Sequence, residues 1–142
     1  KNRQSSTLND FSIAVSIARS EAVKRGIRTV ICTSSDGASC DASADWHVGW
    51  IIFVDANSNN GVDSGEQLIR VGAALETGFS LVGTSNVAAQ IRFQPDGDAI
   101  ETGTITLCDS RGADKARAVI ITASGKSKIS ETAAGGASLS CT

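Results

Sequence analysis

The chain has 142 residues, enough for one domain with a buried core. Hydrophobic residues make up 41% and charged residues 20%, with a net charge of −2. This composition excludes a disordered chain, a collagen-like chain and a strongly basic nucleic-acid binder, although it leaves room for a local basic patch. No apolar run reaches the roughly 18 residues of a membrane span. Methionine is absent, so we expect that Lys1 is not the native start and that a preceding segment has been removed.

The clearest helical pattern covers residues 5–25. Leu8, Phe11, Val15, Ala18 and Ala22 recur at the spacing of one helical face. A glycine at position 26 is a natural helix end. Short β-type runs follow, and the predicted strands are 28–32, 48–54, 67–71, 79–82, 89–93, 104–107 and 116–122, with 127–130 as an edge strand. The sequence therefore predicts an α+β fold, in which one long N-terminal helix packs on antiparallel sheet.

Four cysteines, Cys32, Cys40, Cys108 and Cys141, stand in the chain. They lack both the close pairing and the neighbouring histidines of a zinc site. Two disulfides formed in an oxidising compartment are the favoured interpretation, and four buried reduced thiols are the alternative. Three connectivities are open to four cysteines. We favour Cys32–Cys40 and Cys108–Cys141, because each pair closes a local excursion within its own half of the chain.

An acidic, asparagine-rich loop between two predicted strands places oxygen-bearing side chains at the spacing of a calcium loop. These residues are Asp55, Asn57, Asn59, Asp63 and Glu66. The glycine of the loop comes one position later than a calcium loop requires, and the flanks are strands rather than helices. We therefore favour a hairpin loop of turn-forming residues, with a calcium site as the alternative, and expect no cofactor.

Two further segments have both a functional and a structural interpretation. Trp46, His47 and Trp50 include both tryptophans and the only histidine. They suit a ligand platform or a catalytic base, but we favour core packing by one or both indole rings, with His47 pointing outward. Lys126 and Lys128 suit phosphate binding if they share an exposed strand face. A solvated strand edge is the more ordinary explanation, since no aromatic side chain lies nearby to stack bases.

Several sequence blocks, in their order along the chain, resemble the GspH/FimT/FimU family of minor pilins and pseudopilins. They are residues 18–26 (ARSEAVKRG), 46–55 (WHVGWIIFVD), 68–70 (LIR), 91–97 (IRFQPDG), 106–109 (TLCD) and 116–121 (ARAVII), followed by Gly125 and Lys126. The four cysteines make the pattern most similar to the FimU branch. The resemblance covers most of the chain and implies a pilin-like fold without enzymatic activity.

The resemblance also implies an arrangement for the whole chain. Residues 1–142 would be a single pilin-like ectodomain, with 1–26 as the lower half of a longer helix and 27–142 as the β-rich globular part. A hydrophobic segment before Lys1 would anchor the protein in the inner membrane, with the ectodomain in the periplasm before assembly and at the pilus tip afterwards. Other minor pilins and the major pilin would be the partners. We expect the helix to contact them through Phe11, Val15 and Ala18.

The leading functional expectation is therefore a minor pilin that primes type IV pilus assembly in a tip complex with other minor pilins. One alternative is a pseudopilin of the GspH kind in type II secretion. Another is a DNA-binding competence pilin of the FimT kind. The DNA-contacting element of that branch reads Gly-Arg-x-Arg, and residues 125–128 here read GKSK. Lysine keeps the charge of arginine but loses its bidentate fork.

Overall fold

The N-terminal helix α1 spans Asn2–Arg25, so it begins three positions before the predicted start at residue 5. In this computed structural model the described residues are 2–55, 67–75, 77–112, 115–132, 136, 138–139 and 141. Lys24 and Arg25 lie in the last turn, where they complement the negative end of the helix dipole. Gly26 then ends the helix with φ of 68°, and its N–H donates to the Ala22 carbonyl at 2.9 Å. A left-handed residue at this position is a common way to end a helix.

Eight strands follow the helix in the described part of the chain. They are β1 (Thr29–Thr33), β2 (Trp50–Val54), β3 (Leu68–Gly72), β4 (Ser80–Gly83), β5 (Gln90–Phe93), β6 (Gly103–Cys108), β7 (Arg117–Ile121) and β8 (Ser127–Ser130). The first sheet has the order β3-β2-β1-β5 and the second has the order β4-β6-β7-β8. Neighbouring strands are antiparallel in both sheets. The α+β fold expected from the sequence is the fold that the structure has.

Strand β2 is shorter than the predicted run 48–54, because the chain turns before it enters the sheet. A short 3-10 helix covers Trp46–Val48, and Gly49 follows with φ of 145°. A Cβ atom at Gly49 would lie 2.9 Å from the Ser34 carbonyl oxygen, closer than real Cβ contacts. This backbone position therefore requires glycine, and β2 starts at Trp50.

The main core lies between α1 and the inner faces of both sheets. Each sheet contributes one alternate set of its strand residues, as the period of two along a strand requires. Buried members from the helix and strands are Leu8, Phe11, Ala14, Val15, Ala18, Ala22, Ile31, Ile52, Ile91, Phe93, Leu81, Ile105, Leu107, Val119 and Ile121. The helix thus holds the two sheets together through one shared apolar layer.

A smaller core lies on the opposite face of the first sheet. It consists of Val30, Cys32, Ile51 and Phe53, with Cys40 packed against it. The disulfide between Cys32 and Cys40 therefore belongs to this layer and ties the 34–45 loop to β1. Because strand β2 is buried on both faces of the first sheet, Ile51–Phe53 is a continuous apolar run.

Candidate interaction surfaces

The residues expected to contact neighbouring subunits lie inside the molecule. Phe11, Val15 and Ala18 have exposed fractions of 3%, 0% and 0%, because the sheets cover this face of α1. They belong to the main core. The expectation that these three side chains contact other pilins is therefore wrong for the folded domain.

The solvent side of α1 is formed by other residues, which we call the outer helix face: Ser6, Asn9, Ile13, Ser16, Ser20 and Lys24. Ile13 is the only large apolar side chain among these six and is 56% exposed, while Val23, nearer the end of the helix, is 49% exposed. Ile17, the neighbour of Ile13, is half-buried. In the sequence this face is indicated by Ile13 itself, an apolar residue that lies outside the spacing of the buried helix positions. A solvated helix face with one exposed isoleucine between small side chains allows a second helix to approach closely.

Arg19 connects α1 to both sheets through an arrangement that we call the Arg19 clasp. Its Nε donates to the Gly97 carbonyl oxygen at 3.1 Å and to the Ser124 carbonyl oxygen at 3.0 Å. Gly97 belongs to the turn after β5, and Ser124 to the turn between β7 and β8. A Cβ atom at Gly125 would lie 2.0 Å from the Gly97 oxygen, so the two turns meet without room for a side chain. The sequence pattern places Arg19 on the polar side of the helix and does not predict these contacts.

The helix is also fixed to the second sheet nearer its N-terminus. The hydroxyl oxygens of Ser12 and Ser127 are 3.0 Å apart, within hydrogen-bonding distance. Together with the Arg19 clasp, this contact holds the orientation of α1 on the β7–β8 hairpin. The outer helix face is therefore presented by a helix with polar attachments along its length.

The tryptophan segment mainly joins the two sheets. Trp46 is fully buried, and its Nε1–H donates to the Val87 carbonyl oxygen at 2.8 Å. The Leu81 N–H donates to His47 Nδ1 at 3.1 Å, so the half-buried imidazole faces β4 rather than pointing outward as expected. Trp50 is half-buried and stands 6.4 Å from the Phe11 ring, edge to face. These contacts account for both indole rings by packing.

The two disulfides join Cys32 to Cys40 and Cys108 to Cys141, the pairs that the sequence favours. The second bond attaches Cys141, near the end of the chain, to the end of β6. Within the described residues no free cysteine remains.

Two carboxylates, the exposed Asp36 and the half-buried Asp109, have pKa values well below the ordinary range. Backbone N–H donors of Ala38 and Ser39, and the Ser39 hydroxyl, lower the pKa of Asp36 to about 2. Hydrogen bonds from the side chain and backbone of Arg111 lower the pKa of Asp109 to about 2. Both carboxylates stabilise turns in the ionised form.

Most of the proposed calcium ligands, Asn57, Asn59, Asp63 and Glu66, lie outside the described residues. Asp55 is fully buried, and its backbone N–H donates to the Arg28 carbonyl at 2.9 Å. In the described ranges no three His, Cys, Asp or Glu side chains are grouped to hold a metal ion.

The basic pair at the β7–β8 hairpin is exposed. Lys128 lies in β8 opposite Ile120, and Lys126 accepts the Thr122 N–H at its carbonyl immediately before the strand. Two positions apart in extended backbone, the two lysines are placed on one face.

Among the described helices, none is long and apolar enough to cross a membrane.

Comparison with known proteins agrees with this architecture. The family profile described as "Type II transport protein GspH" matches residues 7–125, which is most of the chain. The chain belongs to the GspH family. The family and the fold are those of pilin-like structural proteins, not of enzymes. A search of curated protein sequences gives no match.

Two crystal structures of the type IV minor pilin FimU from Pseudomonas aeruginosa share the fold of this GspH-family chain. One is 20% identical, covers 97% of this chain and 99% of its own, and has a TM-score of 0.69. The other crystal form is 22% identical, covers 99% of this chain and 96% of its own, and has a TM-score of 0.70. At this identity the likeness demonstrates the fold: one N-terminal helix on antiparallel sheets.

Proposed function

We propose that this GspH-family protein is a minor pilin that takes part in priming type IV pilus assembly within a tip complex. Family membership and the fold shared with FimU support this assignment. The main structural support is that α1 has two different faces. One face is buried in the main core, and on the outer helix face Ile13 is 56% exposed. Such a helix can associate with other subunits without losing its own fold.

In this proposal α1 is the lower half of a longer pilin helix, and residues 27–142 form the globular part of a single ectodomain. A segment before Lys1 anchors the protein in the inner membrane, and the ectodomain moves from the periplasm to the pilus tip on assembly. Other minor pilins and the major pilin pack against the outer helix face. Ile13 replaces Phe11, Val15 and Ala18 as the central contact.

The test compares two substitutions of similarly exposed residues. Ile13→Lys places a charge at the centre of the outer helix face, while Val71→Lys changes a residue that is 51% exposed on strand β3. Each variant is expressed in the native cell, and its association with the pilins encoded alongside it is measured by co-purification. We expect Ile13→Lys to lose that association and reduce surface pili, and Val71→Lys to retain both. Normal association and piliation in Ile13→Lys would overturn the proposed surface.

A second candidate is a pseudopilin of the type II secretion system, and the description of the matching family profile favours it. Both machines use the same kind of helix, so the geometry of α1 suits either. Deletion of the gene distinguishes them, because loss of pili supports the pilus and loss of protein secretion with normal pili supports the secretion system.

A third candidate, DNA binding, rests on the exposed pair Lys126 and Lys128. The chain should then retard duplex DNA at about 50 mM salt, where phosphate contacts are strong. The double variant Lys126→Ala, Lys128→Ala should abolish the retardation. Absence of retardation by the unmodified chain under these conditions excludes this function.

A further inference from the structure

A groove opens beside α1, between the helix and the ends of strands β2, β3 and β4. Its volume is about 210 Å³, and its apolar wall is formed by Phe11, Trp50, Leu75 and Leu81, with Thr7 and Asp10 on the helix side. The volume suits one large apolar side chain rather than a small-molecule substrate, since ligand pockets are commonly larger.

The wall of the groove is held in place by close packing. A Cβ atom at Gly72 would lie 2.0 Å from Cε2 of the Trp50 ring, so only glycine at this position lets the indole lie against β3. The Phe11 ring contacts Trp50 on one side and Trp46 on the other, with ring centroids 6.4 Å and 5.3 Å apart. Because Trp46 is fully buried, the aromatic wall is attached to the core. The groove is therefore preformed.

One charged side chain lines the groove. Asp10 is exposed and lines the groove, and it has no ion-pair partner within the described chain. A basic group of a partner is attracted to Asp10. The groove thus favours an apolar side chain with a lysine or arginine beside it.

The groove is also continuous with the outer helix face. At 100° per residue, Asp10 lies about 60° around the helix from Ile13, with the half-buried Ile17 between them. A subunit packed over Ile13 would therefore extend over the mouth of the groove. We propose that this groove receives a large apolar side chain, flanked by a basic residue, from a neighbouring pilin of a different kind. This inference rests on the proposed function.

The test uses photo-crosslinking in the native cell, with the protein expressed alongside its co-encoded pilins. p-Benzoylphenylalanine is placed at position 73, which lines the groove, and at position 74 as a matched control, since both alanines are exposed and only Ala73 lines the groove. A third variant carries it at position 13. Cross-linked peptides are identified by mass spectrometry. We expect positions 73 and 13 to give adducts with the same pilin, and position 74 to give none.

A charge test accompanies the cross-linking. Asp10→Lys should lower the yield at position 73 by about fivefold, as expected for reversing one surface charge contact. Asp45→Lys makes the same charge change at an exposed residue outside the groove lining and should leave the yield unchanged. Thermal melting of both variants confirms that they fold.

The outcomes separate the two proposals. Adducts at position 13 without adducts at 73 overturn the groove while leaving the proposed function intact. Absence of pilin adducts at both positions overturns the proposed function as well. A cross-linked peptide without a basic residue beside an apolar one, an adduct with a second copy of this chain, or an equal effect of Asp10→Lys and Asp45→Lys also overturns the assigned occupant.

Discussion

Phe11→Ala tests whether this residue belongs to the core or to a subunit contact. Phe11 is 3% exposed and contacts both tryptophans edge to face. Truncating a buried phenylalanine costs about 3–5 kcal/mol, which includes the cavity that remains. In a chain of this size each kcal/mol lowers the melting temperature by about 2–4 °C. We therefore expect a decrease of about 6–20 °C.

The measurement is equilibrium urea unfolding followed by tryptophan fluorescence, with thermal melting by circular dichroism as a second probe. Both fluorophores contact Phe11, so the native signal should also change. Ile13→Ala is the matched control on the same helix, and its cost should stay near 0.5 kcal/mol because Ile13 is an exposed surface residue. If Phe11→Ala costs less than about 1 kcal/mol, or no more than Ile13→Ala, the core assignment of this helix face is refuted.

Three further predictions follow from the disulfides, the Arg19 clasp and the turn carboxylates. Replacing Cys108 and Cys141 by alanine should lower the free energy of unfolding by about 4 kcal/mol, because the bond closes a 33-residue separation; a urea titration that shows no loss contradicts this. Arg19→Met should cost about 1–3 kcal/mol and speed hydrogen exchange in turns 94–98 and 122–126, whereas unchanged exchange there argues against the clasp. Asp36 has a folded pKa of about 2 against an ordinary 3.8, so its contribution is present above pH 3.8 and is lost as the pH falls towards 2. As the pH is lowered from 5 to 2, the melting temperature should therefore decrease less steeply for Asp36→Asn than for the unmodified chain. Equal slopes would contradict the assignment.

The sequence predicted the helix and the positions of the strands along the chain, because periodicity and turn residues record local structure, and its resemblance to known proteins predicted the family. It did not predict which helix face would be free. The apolar residues on α1 extend from Ala18 round to Ile13, wider than one sheet needs, and only the placement of both sheets shows that Ile13 stays outside.

The sequence also did not predict contacts between residues that lie far apart along the chain. Arg19 lies on the helix as an ordinary polar residue, yet its acceptors are 78 and 105 positions away. The start of β2 was also misplaced, because Gly49 is needed for its close approach to Ser34 and not for any local pattern. The calcium hypothesis stays a prediction, since most of its residues lie outside the described chain.

If the chain is a filament subunit, as proposed above, the Arg19 clasp has a mechanical consequence. Its two carbonyl acceptors belong to turns at the ends of different sheets, one after β5 and one between β7 and β8. Tension that enters through α1 is therefore shared between both sheets instead of peeling one hairpin from the other. Because a single side chain makes both hydrogen bonds, a force on α1 acts on both bonds at once. Arg19 therefore connects the helix to both sheets of the globular part.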